Sequence, residues 1–366
     1  MKIINKSLAG VLLSTIAYTA QADVITTVKP LGFIAAAIAD GVTGTQVLLP
    51  TGASPHDYHL RPSDLQKLQQ ADLVVWIGAD METFLSKSIG RLAAAKVLQI
   101  DKIDNIQQLL GEALHVHADG DHDHDHDHDH DHDHDHDHDH DHDHDHDHDH
   151  DHDHDHDHNH DHNHDHNHDH DGPPGNDDAH DHDHDHHDHA HGGLETDWHV
   201  WFSGEISEKI AEQIAQRLAQ DYPNKTDLIN RNLAEFKQNV AAKQQQLKTQ
   251  LDPVKQTGYY VFHDAYGYFE RQYGLNHLGA FTINPAVAPG AKTLNEIKAD
   301  IQAHKAQCLF AEPQFTPRLL EMLHKSTGVK LGVLDPMGEK IAIGKTAYTE
   351  YLQSLADSFS GCLAQK

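Results

Sequence analysis

A run of alternating aspartate and histidine residues limits what the middle of this chain can fold into. Residues 118–192 contain 30 Asp but no Glu, Lys or Arg. Because the segment has almost no apolar side chains to bury, we expect a disordered surface loop rather than a domain. It also explains the formal charge of −32, since the rest of the 366-residue chain holds 29 of the 59 acidic residues against 27 basic ones. That remainder has no basic stripe, which argues against a nucleic-acid partner.

The N-terminus has the three parts of a secretory signal. Lys2 and Lys6 precede an apolar stretch over residues 8–20, which is too short to span a bilayer, and an Ala-Gln-Ala cleavage sequence ends at Ala22. We therefore expect a signal peptide over 1–22 and a mature chain outside the cytoplasm with no direct membrane insertion. A buried N-terminal helix is the alternative interpretation.

Short apolar strands alternate with amphipathic helices in the first half of the remainder. We predict strands over 24–28, 45–49, 73–77 and 97–100, a helix with Pro62 at its first position, and a helix over 81–94. This βαβα rhythm is typical of a parallel sheet with helices on both sides. After the loop, Ser203 is a good helix N-cap, and an apolar stripe follows at Ile206, Ile210, Ile214 and Leu218.

A long helix separates the two halves. Residues 224–251 have helical apolar spacing and no internal Gly or Pro, which predicts a rigid connector about 40 Å long. Further strands are predicted over 258–262, 308–311 and 329–334, and helices over 293–303 (opened by a capping box at Thr293 and Glu296), 316–326 and 346–362. The expected fold class is α/β with two lobes, each a mainly parallel sheet flanked by helices: 23–222 with the loop at 116–193, the connecting helix 223–252, and 253–366.

Three histidines outside the repeat have positions suited to a metal site. His56 lies between a predicted strand and a helix, His199 where regular structure resumes after the loop, and His263 directly after the predicted strand over 258–262. Ligands of open α/β sheets gather at the carboxyl ends of strands. Three imidazoles with a fourth open or oxygen position are typical of zinc. A single histidine at a strand end is more often a loop residue, so spacing alone is weak support.

The chain has two cysteines, Cys308 and Cys362. An even pair in an oxidising compartment favours a disulfide. Two free buried thiols or a zinc site are the alternatives, the latter disfavoured by the lack of C-x-x-C spacing.

Five segments carry a resemblance to a known family: GASPHDYHLRPSDLQKLQQADLVVWIG, HVWFS, FHDAYGYFE, AEPQF and LDPMG. They resemble the zinc-binding periplasmic solute-binding proteins of high-affinity zinc ABC importers, over nearly all of the mature chain. The resemblance implies two α/β lobes joined by one long helix, with Zn²⁺ in the cleft as the transported ligand. It also implies a monomer without catalytic activity that delivers zinc to a membrane permease. The implied zinc ligands are His56, His199 and His263, and the implied disulfide is Cys308–Cys362.

The fourth ligand and the choice of metal stay open at this stage. Manganese-binding relatives resemble this pattern but carry Glu at the position of His263 and use an Asp at that of Asp335, so a third imidazole favours zinc. Some zinc members have Glu before the first histidine, where this chain has Pro55. We expect water or Asp335 as fourth ligand, with His59 or a loop histidine as alternatives.

The Asp-His repeat supplies an imidazole and a carboxylate in every unit, so we expect it to bind additional zinc weakly. Representative secondary ligands are His122, His124, His126, His180, His182 and His184. A repeat tolerated only because surface loops accept insertions is the alternative. Two other functions compete with import: a periplasmic zinc buffer centred on the repeat, and a zinc hydrolase. The hydrolase is disfavoured, because the chain has no H-E-x-x-H motif and only Asp57 or Asp264 as a base beside the ligands.

Overall fold

The computed structural model describes residues 23–111, 196–282, 290–314 and 318–364. The predicted signal peptide, the predicted loop and its six representative histidines lie outside these ranges. The backbone N of Asp197 donates to the carbonyl oxygen of Gly111 at 2.9 Å. The chain therefore re-enters the fold beside the point where it leaves, which explains how a long segment can be inserted here without separating its neighbours.

A four-stranded parallel sheet organises the first lobe, in the order β2-β1-β3-β4. Strand β3 is buried along its whole length, as its continuous apolar sequence predicts for a strand covered on both faces. Pro62 occupies the first turn of its helix, as predicted. The elements are β1 (Asp23–Thr26), α1 (Lys29–Ala39), β2 (Gly44–Val47), α2 (Pro62–Gln70), β3 (Leu73–Trp76), α3 (Ser86–Ile89), β4 (Val97–Gln99) and α4 (Asp104–Gln107).

Two long helices follow. Helix α5 (Gly204–Asp221) begins where predicted, since the Ser203 side chain accepts a hydrogen bond from the backbone N of Ile206. Its predicted apolar stripe is buried. Helix α6 (Thr226–Leu251) has 26 residues, which corresponds to about 39 Å at 1.5 Å per residue. It contacts α1 and α5, so the predicted connector is also part of the core.

A second four-stranded parallel sheet has the order β6-β5-β7-β8. Its last helix contacts α1 and α6 as well as strand β8, which connects the end of the chain to the first lobe. The two-lobed α/β fold with a long central helix is thereby confirmed. The elements are β5 (Gly258–His263), α7 (Gly267–Tyr273), β6 (His277–Thr282), α8 (Ala291–Gln302), β7 (Ala306–Ala311), α9 (Arg318–Thr327), β8 (Lys330–Val333) and α10 (Ala347–Leu363).

A disulfide joins Cys308 of β7 to Cys362 of α10, with 6.1 Å between their Cα atoms. It closes a loop with a sequence separation of 54 residues, for which loop-closure entropy predicts a stabilisation of about 4 kcal/mol. The predicted pairing is confirmed. Among the helices of the described residues, we find none with the length and apolarity that a membrane crossing needs.

Three local predictions were wrong or incomplete. The helix predicted over 81–94 is broken into a 3₁₀ turn, the four-residue α3 and a second 3₁₀ turn, because the chain leaves the helix at Gly90. The capping box at Thr293 is also wrong, since α8 begins at Ala291 with Gly290 as its N-cap. Helices α1, α4 and α7 and strand β6 were not predicted.

Candidate metal centre

His263 is the last residue of strand β5 and lies opposite Thr282 of β6. It is 3% exposed. Its Nδ1 atom lies 3.4 Å from Oε1 of Glu312. Neither ring nitrogen has a hydrogen bond within the described part of the chain. The strand therefore delivers a buried imidazole whose nitrogens are still available.

His199 precedes the 3₁₀ turn Val200–Phe202 that leads into α5. Oδ1 of Asp197 accepts a hydrogen bond from the backbone N of His199 at 3.0 Å and lies 2.9 Å from its Nδ1. This contact favours the tautomer with the proton on Nδ1. The lone pair of Nε2 is then free to bind a metal. Among the described residues, Nε2 of His199 has no hydrogen-bond partner.

His56 lies in the loop after β2. A turn closes where Ala53 N donates to the carbonyl oxygen of Pro50, and His56 N then donates to Oγ of Ser54 at 3.2 Å. The residue is half-buried overall, but its Nε2 is buried and lacks a hydrogen-bond partner in the described ranges. The loop lies on the surface of the lobe, but it directs this nitrogen inward.

The three histidines converge. One nitrogen of each lies within 4.8 Å of the others, and the ring centroids are 4.9 to 5.6 Å apart. They line a cavity of about 20 Å³ together with residues of both lobes, which is room for about one water molecule or ion. Buried polar atoms normally have partners, so the orphaned nitrogens around a small cavity form a candidate cation site. The other lining residues are Ala53, Ser54, Pro55, Trp201, Glu312, Gln314, Pro336 and Met337.

The electrostatics of the cluster favour neutral imidazoles. Burial, followed by the nearby His263 and His199, holds the pKa of His56 well below its usual value. Burial also lowers the pKa of His199, although the hydrogen bond and charge of Asp197 act in the opposite direction. Since a metal binds the neutral form, two of the three ligands need not release a proton at neutral pH.

The other proposed ligands lie elsewhere. Asp335 is outside the three-histidine group, and its Oδ1 and Oδ2 accept hydrogen bonds from the backbone N of Met337 at 3.0 Å and of Glu339 at 2.6 Å. It lines a different cavity, beside Pro313 and Val333. His59 is exposed.

Glu312 is the site residue that the sequence argument did not single out. It directly follows strand β7, is 3% exposed and lines the metal cavity. Its position after the apolar run CLFA was visible in the sequence. Its closeness to His263 was not visible there, because only the sheet order shows that β7 lies beside β5.

Comparisons with known proteins identify the family of the chain. A family profile described as "Zinc-uptake complex component A periplasmic" (ZnuA) matches residues 24–362. The chain is 52% identical to the high-affinity zinc uptake system protein ZnuA of Haemophilus influenzae, over 100% of this chain and 99% of that protein. It is 50% identical to the Haemophilus ducreyi protein of the same description, over 94% of each.

Solved structures share the fold. A crystal structure of ZnuA superimposes with a TM-score of 0.64 at 19% identity, covering 94% of this chain and all of that chain. The periplasmic zinc binding protein TroA from Treponema pallidum gives 0.63 at 17% identity, again over 94% of this chain and all of that one. At these identities the likeness concerns the fold alone.

The chain belongs to the ZnuA family of periplasmic zinc-uptake components. Proteins of this family bind a solute for transport and are not enzymes, so the expectation of a non-enzymatic protein is confirmed. The hydrolase alternative is thereby set aside.

Proposed function

We propose that the chain captures Zn²⁺ at His56, His199 and His263 and delivers it to the membrane permease of a zinc ABC importer. The observation that carries the proposal is the convergence of three buried imidazoles around one small cavity. Tetrahedral zinc with Zn–N distances of about 2.0–2.1 Å needs its nitrogens about 3.3 Å apart. Nitrogens already within 4.8 Å of one another need only a small contraction to meet that requirement.

Zinc fits this donor set better than manganese. Neutral imidazoles suit zinc, whereas manganese prefers carboxylate, carbonyl and water oxygens. Within the described residues, the set of mutually close ligand atoms contains imidazole nitrogens alone. We propose water as the fourth ligand, since both oxygens of Asp335 accept backbone hydrogen bonds. Asp335 would have to give these up to reach the metal.

The remaining parts of the chain support import from the periplasm. Residues 1–22 act as the signal peptide, 23–222 and 253–366 as the two lobes, and 223–252 as the connector. Helix α6 packs against both α5 and α10, so we propose small lobe movements on zinc release rather than wide opening. The Asp-His repeat over 118–192 adds weak, rapidly exchanging zinc sites.

Zinc titration of the mature chain and of a variant lacking residues 119–191 tests the proposal. The deletion retains both anchors of the segment, Gly111 and Asp197, which hydrogen bond to each other. We expect one tight site to survive the deletion and the weak sites to disappear. Loss of all high-affinity binding would instead support a zinc buffer centred on the repeat.

A matched pair of substitutions locates the tight site in the shortened chain. His56→Ala should greatly weaken zinc binding, while His59→Ala, three residues away and exposed, should not. Equal zinc affinities in the two variants would reject the ligand assignment. Co-purification of the chain with its permease in a zinc-dependent manner would then test delivery.

A further inference from the structure

A Tyr–Glu–His group borders the candidate metal cavity, which its members Glu312 and His263 line. Oε1 of Glu312 accepts a hydrogen bond from the Tyr266 hydroxyl at 3.0 Å and lies 3.4 Å from Nδ1 of His263. The side chains of His263 and Glu312 are 4% and 1% exposed. Oε2 of Glu312 has no hydrogen-bond partner in the described ranges. The carboxylate is therefore held by one hydroxyl and directed at the imidazole.

The sheet makes this contact unavoidable. Strands β5 and β7 are parallel neighbours with Val261 opposite Phe310. Counted two residues on from this pair, His263 ends β5 and Glu312 directly follows β7. Side chains alternate between the two faces of a strand. His263 and Glu312 therefore lie on the same face of the sheet as Val261 and Phe310. Neighbouring strand ends thus place a carboxylate beside the imidazole without help from any loop.

The position of Glu312 suits a partner of a ligand better than a ligand. The group of ligand atoms that lie mutually within 4.8 Å in the described residues contains the three histidines and not Glu312. Asp197 stands in the same relation to His199, 2.9 Å from its Nδ1. Each lobe therefore brings an imidazole backed by a carboxylate to the cavity.

The charge of a bound dication also favours a role for Glu312. A dication held by three neutral imidazoles would leave a net charge of two in a site whose ligands His199 and His263 are buried, which is costly unless opposite charges lie nearby. Two carboxylates, Asp197 and Glu312, are both buried beside the ligands. Together they balance the charge of the ion. Carboxylate partners of metal-binding histidines also fix the tautomer and raise the basicity of the ring.

We infer that Glu312 is the positioning residue of His263: it orients the ring so that Nε2 faces the metal, and it supplies half of the compensating charge. This inference rests on the proposed function, because it needs His263 to be a metal ligand. Metal binding shortens the Glu312–His263 contact to a hydrogen bond like that between Asp197 and His199.

The chain contains a matched control for Glu312. Glu270 is also buried, accepts a hydrogen bond from a tyrosine hydroxyl (Tyr259, 2.9 Å) and contacts a histidine Nδ1 (His277, 3.0 Å). It does not line the metal cavity. Glu312→Gln and Glu270→Gln therefore make the same chemical change in two groups of the same composition, and only the first affects the proposed site.

The test measures three properties of both variants: zinc affinity by competition with a chromophoric chelator, the visible absorption spectrum of the Co²⁺ complex, and unfolding by urea. Glu312→Gln should lower zinc affinity about 10- to 100-fold and change the Co²⁺ spectrum. Glu270→Gln should destabilise the fold and leave both metal properties as in the parent chain. Unchanged zinc affinity and Co²⁺ spectrum in Glu312→Gln, or equal changes in both variants, would overturn the inference.

His263→Ala in the same series separates the inference from the proposed function. A large loss of zinc affinity in His263→Ala with none in Glu312→Gln would reject the positioning role alone. No loss in either variant would reject His263 as a ligand and the inference with it. Glu312→Asp, which keeps the charge on a shorter side chain, should recover part of the affinity lost in Glu312→Gln if the charge contributes as argued.

Discussion

Two Tyr–Glu–His groups in the second lobe have the same chemical composition and different surroundings. In the cavity group, Tyr266 and His263 contact Glu312; in the core group, Tyr259 and His277 contact Glu270. The His–Glu distance is 3.4 Å in the first and 3.0 Å in the second.

The difference lies in what else surrounds each imidazole. The ring of His263 meets the rings of His56 and His199 edge-on, whereas that of His277 stacks on Tyr259. Burial acts to lower the pKa of His277, but the charge and hydrogen bond of Glu270 and the charge of Asp264 outweigh it and raise the pKa to about 9. One group is thus suited to bind a metal and the other to form a buried ion pair. Residue composition alone does not distinguish a metal site from a structural pair.

The largest expected effect is the difference in zinc affinity between His263→Ala and His277→Ala. His263→Ala removes a proposed ligand and should lower zinc affinity by more than about 100-fold, the upper range for loss of an outer partner. His277→Ala leaves Glu270 buried without its cation and should cost about 3 kcal/mol or more of unfolding free energy. Zinc competition and urea unfolding of both variants check this. Similar effects of the two substitutions on zinc affinity would erase the distinction between the groups.

The core group also predicts how the stability of the zinc-free protein depends on pH. The folded pKa of His277, about 9, exceeds the ordinary value of about 6.5. Its stabilising effect is therefore complete below pH 6.5 and is lost as the pH rises through 9. The loss should be on the order of 3 kcal/mol at 1.36 kcal/mol per pKa unit. Burial raises the pKa of Asp264 to about 7, so its contribution changes mainly at lower pH.

Urea unfolding between pH 7 and pH 10 measures this effect. His277→Gln cannot become charged, so its stability should vary much less over the same range than that of the parent chain. Parallel curves for the two proteins would show that His277 does not form the proposed ion pair.

How far the sequence alone predicts these sites depends on which contacts are local. The three histidines could be proposed because His56 and His263 lie at predicted strand ends and because all three match the motifs of a family. The partner of His199 was only two residues away, at Asp197. Glu312 was missed because its contact with His263 depends on two strands separated by more than 40 residues of chain becoming neighbours.

The elements of the fold also divide into those that the sequence predicts and those that depend on tertiary contacts. The parallel sheets and α6 have periodic apolar patterns strong enough to predict. Strand β6 begins at His277, a polar residue whose side chain is 6% exposed and pairs with Glu270, and the strand contains Gly279. Its apolar pattern is therefore weak. The prediction of a helix over 81–94 was wrong because its apolar pattern is too strong. The helical spacing continues past Gly90, where the helix ends in the structure.

A smaller change at the cavity group should alter metal preference. His263→Glu replaces an imidazole with a carboxylate, which manganese prefers, while the ligand position at the end of β5 stays the same. We expect the ratio of Zn²⁺ to Mn²⁺ affinity to fall and both metals still to bind, with His277→Glu as a control that leaves the ratio unaltered. Competition of the two metals in the shortened chain measures the ratio. An unchanged ratio in His263→Glu would show that the third imidazole does not determine the preference for zinc.

The smallest expected effect concerns the pH dependence of zinc binding. The pKa values of the cavity residues His56 and His199 are lowered, whereas that of His277 in the core group is raised. Burial lowers the pKa of His56 and of His199, so both stay neutral to a lower pH than a solvated imidazole does, and protons compete less with zinc. Three freely solvated imidazoles would lose roughly 50-fold in affinity between pH 7.5 and pH 6.0. A site in which the pKa values of two imidazoles are lowered should lose clearly less than that. Zinc competition with the chain lacking residues 119–191 measures this, with the chelator calibrated at each pH. A decline near 50-fold would show that the cavity does not keep its histidines neutral.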